Sequence, residues 1–215
     1  MTMNNTDTTP NSENTSGSSA QNNNTTTILL CGVGGQGTIL AADLLARVAI
    51  AENMDVKVSE IHGMSQRGGA VTTVVRFGAE VKSMVADVGC ADFVVSFEKI
   101  EALRNANFVK RAPSSGVLLV NNEIIKPQSV LTGSAQMPEN VDDMLAQVNA
   151  VVAPAHNLAK EAGTAKAANV VLLGALSNYL PFSLSSWNKC ISQRVPKNFL
   201  SENLEAFERG RNFVK

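Results

Sequence analysis

Short apolar runs alternate with longer helix-like stretches along most of the chain after residue 27. Residues 28–31 form an apolar run that stops at a glycine, which is typical of a central parallel strand buried on both faces. Residues 38–52 are apolar around most of a helical circumference, and Asp43 and Arg47 share one face at a spacing of four residues. The pattern therefore predicts a buried strand followed by a largely buried helix.

The pattern changes after this first unit. Val56 and Val58 alternate with polar residues, which predicts a second strand. Residues 71–77 and 81–85 are rich in residues that favour strands, and Gly-Ala-Glu at 78–80 separates them. We therefore predict an antiparallel hairpin, and a hairpin inserted at this point makes the sheet mixed.

The rest of the chain continues the alternation and then becomes helical. Strands are predicted over residues 93–97, 116–120 and 148–152, and helices over 98–107, 141–145, 157–162, 165–179, 185–195 and 201–209. Gly210 follows the last helix at the place of a C-cap. These elements predict an α/β fold: a three-layer, Rossmann-like domain with a mixed, mostly parallel sheet, an inserted hairpin and a helical C-terminal part.

The two ends of this domain follow from composition and length. Residues 1–27 consist mostly of Thr, Asn, Ser, Gln and Gly, with no basic residue and no apolar segment. Such a segment buries too little surface to order itself, and it lacks the features of a targeting peptide. We therefore predict a disordered polar tail over 1–27 and a single domain over 28–215.

Net charge and cysteine content narrow the range of functions that the chain can have. The formal net charge is -1, which gives no electrostatic reason to expect nucleic acid or an anionic membrane as a partner. No apolar run approaches the roughly 18 residues of a membrane span. The three cysteines are widely spaced without a C-x-x-C motif, which favours reduced thiols in a cytoplasmic protein that holds no metal cluster of its own. Cys31 and Cys90 lie in or beside apolar runs and are expected to be buried.

A glycine loop follows the first predicted strand. It reads Gly32-Val33-Gly34-Gly35-Gln36-Gly37, which matches G-x-G-x-x-G between a strand and a helix. Unpaired amides at the start of such a helix favour an anion. The same glycines are also compatible with close packing alone, of the strand against the helix or of a partner chain against the loop. The loop is not a P-loop, because no lysine precedes Thr38.

An acidic residue at the end of the second strand would bind a ribose in a dinucleotide site, and Glu60 stands there. It leads into a second loop that is dense in functional residue types: His62, Gly63, Met64, Gln66, Arg67, Gly68 and Gly69. Arg67 offers a fixed fork of donors to a carboxylate or phosphate, and His62 is a weak candidate for proton transfer. The alternatives are that Arg67 pairs with Glu60 or with a partner's carboxylate, and that His62 is a structural residue.

Five segments together resemble a known family. They are G-V-G-G-Q-G at 32–37, E-x-H-G-M-x-Q-R-G-G-x-V at 60–71, F-E-x-x-E-A-L-R at 97–104, N-V-V-L-L-G-A-L at 169–176 and N-L-E-A-F-E-R-G at 203–210. In order and spacing they resemble the gamma-type chain of 2-oxoacid:ferredoxin oxidoreductases and, within that family, the beta subunits of its indolepyruvate members. The resemblance covers nearly all of the chain after residue 27, and the segment at 60–71 is its most specific part.

The resemblance implies a subunit of an enzyme that oxidatively decarboxylates aryl 2-oxoacids to aryl-acetyl-CoA and reduces ferredoxin. It places thiamine diphosphate, Mg²⁺ and the 4Fe-4S clusters on a larger alpha subunit, so this chain alone is expected to bind no cofactor and to be inactive. Coenzyme A is the co-substrate. We expect the two loops, through residues such as Gln36 and Arg67, to face the partner's active site. Two other functions stay open: a stand-alone NAD- or FAD-binding oxidoreductase and a non-catalytic adaptor subunit.

Overall fold

The computed structural model describes residues 25–62, 68–111 and 115–214. Within these ranges the strands form one six-stranded sheet in the order β2-β3-β1-β4-β5-β6. Their bounds are β1 Thr26–Val33, β2 Asp55–His62, β3 Ala70–Gly78, β4 Phe93–Ser96, β5 Val117–Asn121 and β6 Val151–Ala153. Strands β1, β4, β5 and β6 run parallel, whereas β3 is antiparallel to both of its neighbours. The predicted mixed, mostly parallel α/β sheet is confirmed.

Helices cover both faces of the sheet. Their bounds are α1 Thr38–Ala51, α2 Lys99–Asn105, α3 Gln128–Leu131, α4 Val141–Gln147, α5 Ala155–Glu161, α6 Ala168–Ser177, α7 Leu184–Arg194 and α8 Leu200–Phe213. Consecutive residues of a strand face opposite sides, and Leu30 accordingly packs in the core beneath α1, α6, α7 and α8, while Leu29 packs in the core beneath α2 and α4. The three predicted layers are present.

The hairpin consists of different strands from those predicted. Its strands are β2 and β3, whereas residues 81–85 form no strand. Both edges of β3 are already occupied by β1 and β2, so no edge is left for 81–85 to pair with. This segment is held instead by side chains: Arg76 donates to the carbonyl oxygens of Ser83 and Val85 at 2.9 and 3.0 Å, and Val81 is buried.

Gly210 is not a C-cap, because α8 continues through it to Phe213. It faces Gly174 where α6 and α8 cross. A Cβ atom on Gly210 would overlap the carbonyl oxygen of Val171, and one on Gly174 would overlap that of Phe207. These two glycines therefore let the two helix backbones come into direct contact.

Two further expectations need correction. Cys90 is exposed, because it lies in a turn before β4, while Cys31 is buried as predicted. The predicted tail extends too far, since Thr26 and Thr27 belong to β1, and Thr27 is buried with its amide bonded to Asp92 at 2.7 Å. Residues 1–24 lie outside the described ranges. In the described part of the chain, no helix combines the length and the hydropathy that crossing a membrane requires.

Candidate functional site

A crevice opens at the carboxyl ends of β1, β4 and β5. Helix α1 follows β1 on one face of the sheet and α2 follows β4 on the other, and open α/β sheets bind ligands at such a reversal. The crevice has a volume of about 390 Å³. Its walls come from the glycine loop and α1, from the residues after β4 and β5, and from the starts of α5 and α6.

The glycines of the loop serve different purposes. A Cβ atom on Gly32 would lie 2.9 Å from Cβ of Phe97, and one on Gly37 would lie 2.5 Å from Nδ2 of Asn169. Gly37 also has φ 84°, which favours glycine at the N-cap of α1. Gly35 has φ 100° and open space around its Cα. Close packing within the chain thus explains why glycine stands at positions 32 and 37. Gly35, in contrast, lies exposed on the crevice wall.

Gln36 is a brace of the loop. Its Oε1 atom accepts from the amide of Val33 at 2.8 Å, and its Nε2 atom donates to the carbonyl oxygen of Phe97 at 3.0 Å. Both ends of the carboxamide are therefore used within the chain, and they fix the end of β1 to the end of β4. Gln36 also lines the crevice, so its predicted contact with a ligand or partner stays a prediction beside this structural role.

The loop retains unused donors. Helix α1 has no side-chain cap and no acidic residue in its first turn. Among the described residues, the amides of Gly35, Gly37 and Thr38 have no hydrogen-bond acceptor. The positive end of the helix dipole lies at the same place, so the start of α1 can accept an anionic group.

The second loop ends beside the first. The amide of Gly34 donates to the carbonyl oxygen of Gly69 at 2.9 Å, and Val33 pairs with Ala70 across β1 and β3. Gly68 is exposed, with φ 72°. The other predicted residues of this loop, Gly63, Met64, Gln66 and Arg67, and the side chain of His62 lie outside the described residues.

Glu60 does not occupy the position of a ribose-binding acid. In a dinucleotide fold that acid ends the strand adjacent to β1. Here β3 lies between β1 and β2, so Glu60 is two strands away, roughly 10 Å at the usual strand spacing. It is exposed and pairs with Thr73 across β2 and β3.

Three crevice residues were not identified from the sequence. Nδ2 of Asn121 donates to the carbonyl oxygen of Phe97 at 3.2 Å and to Oε2 of Glu123 at 3.1 Å. Nδ1 of His156 lies 3.8 Å from Oε1 of Glu123. A polar chain therefore runs from Gln36 through Phe97 to His156 along the crevice. Asn121, Glu123 and His156 each end or closely follow a parallel strand. This position in the sequence could have identified them, because ligands bind at the carboxyl ends of such strands.

The segment at 97–104 mainly builds the fold. The buried carboxylate of Glu98 caps α2 by accepting from the amides of Ile100 and Glu101. Burial raises the pKa of Glu101, and the charge of Arg104 partly offsets this. Burial also raises the pKa of the Cys31 thiol to about 12, so this cysteine is a neutral core residue.

Residues 27–213 match the family described as pyruvate ferredoxin/flavodoxin oxidoreductase. This chain belongs to that family. Among its relatives in the oxidoreductase family is the indolepyruvate oxidoreductase subunit IorB of Thermococcus kodakarensis, which is 40% identical over 87% of this chain and 95% of its own length. The IorB subunit of Archaeoglobus fulgidus is 34% identical over 86% of this chain and 93% of its own length.

Solved structures of oxidoreductase subunits have the same fold. The gamma subunit of a keto/oxoacid ferredoxin oxidoreductase from Geobacter sulfurreducens aligns with a TM-score of 0.65 at 26% identity, over 88% of this chain and 98% of that one. A 2-oxoglutarate:ferredoxin oxidoreductase from Magnetococcus marinus, with 2-oxoglutarate, coenzyme A and succinyl-CoA bound, aligns with a TM-score of 0.67 at 20% identity. The match covers 88% of this chain and 31% of that longer chain, and it supports the fold alone.

Proposed function

We propose that this chain is the beta-type subunit of an indolepyruvate, or aryl 2-oxoacid, ferredoxin oxidoreductase. The enzyme would convert an aryl pyruvate and coenzyme A to aryl-acetyl-CoA and CO₂ and pass the electrons to ferredoxin. The proposal rests on a comparison of sequence identity between two named groups of relatives. Those named indolepyruvate oxidoreductase subunit IorB are 34% to 40% identical, whereas those named 2-oxoglutarate synthase subunit KorC are 26% to 29% identical.

The cofactors belong to the proposed larger alpha subunit. There, thiamine diphosphate with Mg²⁺ would supply the nucleophile for decarboxylation, and 4Fe-4S clusters would carry the electrons. Within residues 25–62, 68–111 and 115–214, no three His, Cys, Asp or Glu side chains are grouped to hold a metal ion. The cysteines lie apart, in β1, before β4 and in α7. The chain would be a cytoplasmic protein with a single gamma-type domain that begins at β1 rather than at residue 28. In isolation it would be inactive.

The two loops supply this chain's part of the site. The Gly34 to Gly69 hydrogen bond holds the end of the second loop beside the glycine loop, and the start of α1 offers amides that have no acceptor among the described residues. Placed over the partner's active site, this surface would exclude water and donate to an anionic group of coenzyme A or of the oxoacid. Arg67 would add a bidentate donor to the same group.

Co-purification tests the subunit role. The tagged chain, expressed in its native host, should retain a larger protein that contains thiamine diphosphate and iron-sulfur clusters. The complex should reduce ferredoxin only when indolepyruvate and coenzyme A are both present. A chain that purifies alone would refute the proposal, and a complex whose activity does not depend on this chain would indicate an adaptor.

Substitution of Arg67 tests the role of the second loop. In the complex, Arg67→Ala should raise the KM for coenzyme A or for the oxoacid about tenfold, because a charge-assisted contact contributes roughly 1.5 to 3 kcal/mol. Arg111→Ala is the matched control, since Arg111 is an exposed arginine that precedes β5 at the opposite end of the sheet. Unchanged kinetics and assembly with Arg67→Ala would contradict the proposed role.

A further inference from the structure

The outer edge of β2 is the longer of the two open edges of the six-stranded sheet. Strand β2 has a neighbouring strand, β3, on one side only. Its eight residues pair with β3 in one unbroken register, so β2 contains no bulge, and its sequence contains no proline. The strand at the opposite edge, β6, has only three residues. Along the outer side of β2, backbone N–H and C=O groups therefore have no partner strand among the described residues.

Strand β2 has few of the features that keep an edge strand from pairing. Proteins protect such edges with lysine, proline, a bulge or a covering segment. The one lysine of β2, Lys57, is neutralised by Asp55, whose Oδ2 atom lies 3.7 Å from the lysine Nζ. Glu60 is the remaining charged side chain described on this strand. The edge is therefore open to another extended chain, which would pair with it through main-chain hydrogen bonds.

Apolar side chains are exposed on both faces of β2. Val58 is 41% exposed and Ile61 is 65% exposed. They lie on opposite faces, because consecutive residues of a strand alternate in direction. On the face of Ile61, helix α2 packs against β1, β4 and β5. A strand added to the edge of β2 would cover Val58 on one face and Ile61 on the other, and β-branched residues favour such pairing.

The position of β2 in the chain indicates which molecule supplies that strand. His62 ends β2 and leads into the second loop, which the proposed function places at the active site of the larger alpha subunit. A partner that covers this loop also reaches the end of β2. We infer that an extended segment of the larger subunit, with apolar side chains on both of its faces, adds a seventh strand to the outer edge of β2; this inference rests on the proposed function.

A second copy of this chain fits the edge less well. Two copies of β2 related by twofold symmetry run antiparallel to each other. If they paired over their full length, the turn at residues 52–54 of each copy would lie beside His62 of the other. Each copy would then occupy the space next to the second loop that the larger subunit needs. The larger subunit and a second copy therefore compete for this edge.

Hydrogen exchange tests the pairing directly. In β2, every second amide points to the open edge, and these amides should exchange rapidly in the full-length chain alone. In the purified complex with the larger subunit, they should exchange at least about tenfold more slowly, since each would then donate to a backbone carbonyl. The amides of β1 lie in the middle of the sheet and should exchange at the same rate in both samples.

Substitution of the two exposed apolar residues tests the assembly. The double variant Val58→Lys with Ile61→Lys places charges on both faces of the edge, as natural edge strands do to prevent pairing, so the Kd for the larger subunit should rise about tenfold or more. Both side chains are exposed, so the urea midpoint of the full-length chain alone should stay that of the wild type.

A matched control pair lies on α3 and α4. Leu131 is 64% exposed and Met144 is 43% exposed, which matches Ile61 and Val58. The double variant Leu131→Lys with Met144→Lys adds the same charge to the chain without changing β2. It should bind the larger subunit within about twofold of the wild-type Kd.

The other occupants of the edge give different results. Protection of β2 in the chain alone that rises with protein concentration, together with the mass of a dimer, would assign the edge to a second copy. Protection in a monomeric chain that is lost when residues 1–24 are deleted would assign it to the N-terminal segment. Either result overturns the inference.

The complex itself separates this inference from the proposed function. An active, coenzyme A-dependent complex in which the β2 amides exchange as in the chain alone would overturn the inference and leave the proposed function intact. Wild-type affinity of the β2 double variant for the larger subunit would overturn it as well. A chain that forms no complex would refute the proposed function and this inference together.

Discussion

At the scale of single residues, the crevice depends on side chains that hold its loops. Gln36 ties β1 to β4 with two hydrogen bonds, and Asn169 contacts the other end of the glycine loop by donating to the carbonyl oxygen of Gly37 at 3.3 Å. The sequence drew attention to Gln36 because of its place in a motif. It could not show which atoms Gln36 meets, since Phe97 is 61 residues away.

Replacement of Gln36 by Ala should therefore reduce stability. It removes two hydrogen bonds of the loop, each contributing about 1 kcal/mol, so the free energy of unfolding should fall by about 2 kcal/mol in urea titrations of the full chain. Gln147→Ala, at the exposed end of α4, is the control and should change it by less than about 0.5 kcal/mol. Equal stability of the two variants would contradict the bracing role.

At the scale of elements, the C-terminal helices form the layer that supports α1 and the crevice. Helices α6 and α8 cross at Gly174 and Gly210, and the adjacent core includes Trp187 and Phe207, whose ring centroids are 5.2 Å apart. A contact between Asp43 and Arg194 fixes α1 to α7. The expectation for Gly210 was wrong because glycine after a helical run has two uses, a C-cap or a close crossing, and local sequence does not separate them.

The change in stability caused by substituting Gly210 has opposite signs for these two uses of glycine. On an exposed helix face, Gly→Ala stabilises a protein by about 1 kcal/mol. At the crossing, Gly210→Ala places a methyl group against the backbone of α6, and it should destabilise the chain by about 3 kcal/mol. Thermal and urea unfolding measure the difference, with Lys189→Ala at an exposed position of α7 as the control. A variant as stable as the wild type would show that the helices do not meet at these glycines.

At the scale of the whole molecule, the sheet order separates this fold from a dinucleotide-binding one. The glycine fingerprint is present, but the insertion of β3 beside β1 moves Glu60 to the outer strand. The second loop instead returns along β3 to the glycine loop, where Gly69 meets Gly34. The end of the second loop at Gly69 therefore lies beside the glycine loop, while Glu60 and the glycine loop do not form a ribose site.

Cofactor titration checks this consequence of the sheet order. The full-length chain should show no saturable binding of NADH or FAD in fluorescence or calorimetric titrations at micromolar concentrations. Glu60→Ala should leave the coenzyme A-dependent activity of the complex unchanged, since Glu60 lies two strands from the loop. Stoichiometric binding of either dinucleotide, lost in Glu60→Ala, would support the alternative of a stand-alone oxidoreductase.

The sequence by itself determined the local elements, the fold class and the family. Apolar runs, glycine positions and helical periodicity are local signals, and they located β1, α1 and the later strands within a few residues. Only the tertiary structure decided which strands are neighbours, which glycines meet another backbone, and that Asn121, Glu123 and His156 share a crevice with the glycine loop. These depend on contacts between residues distant in sequence, which a periodic pattern along one segment does not encode.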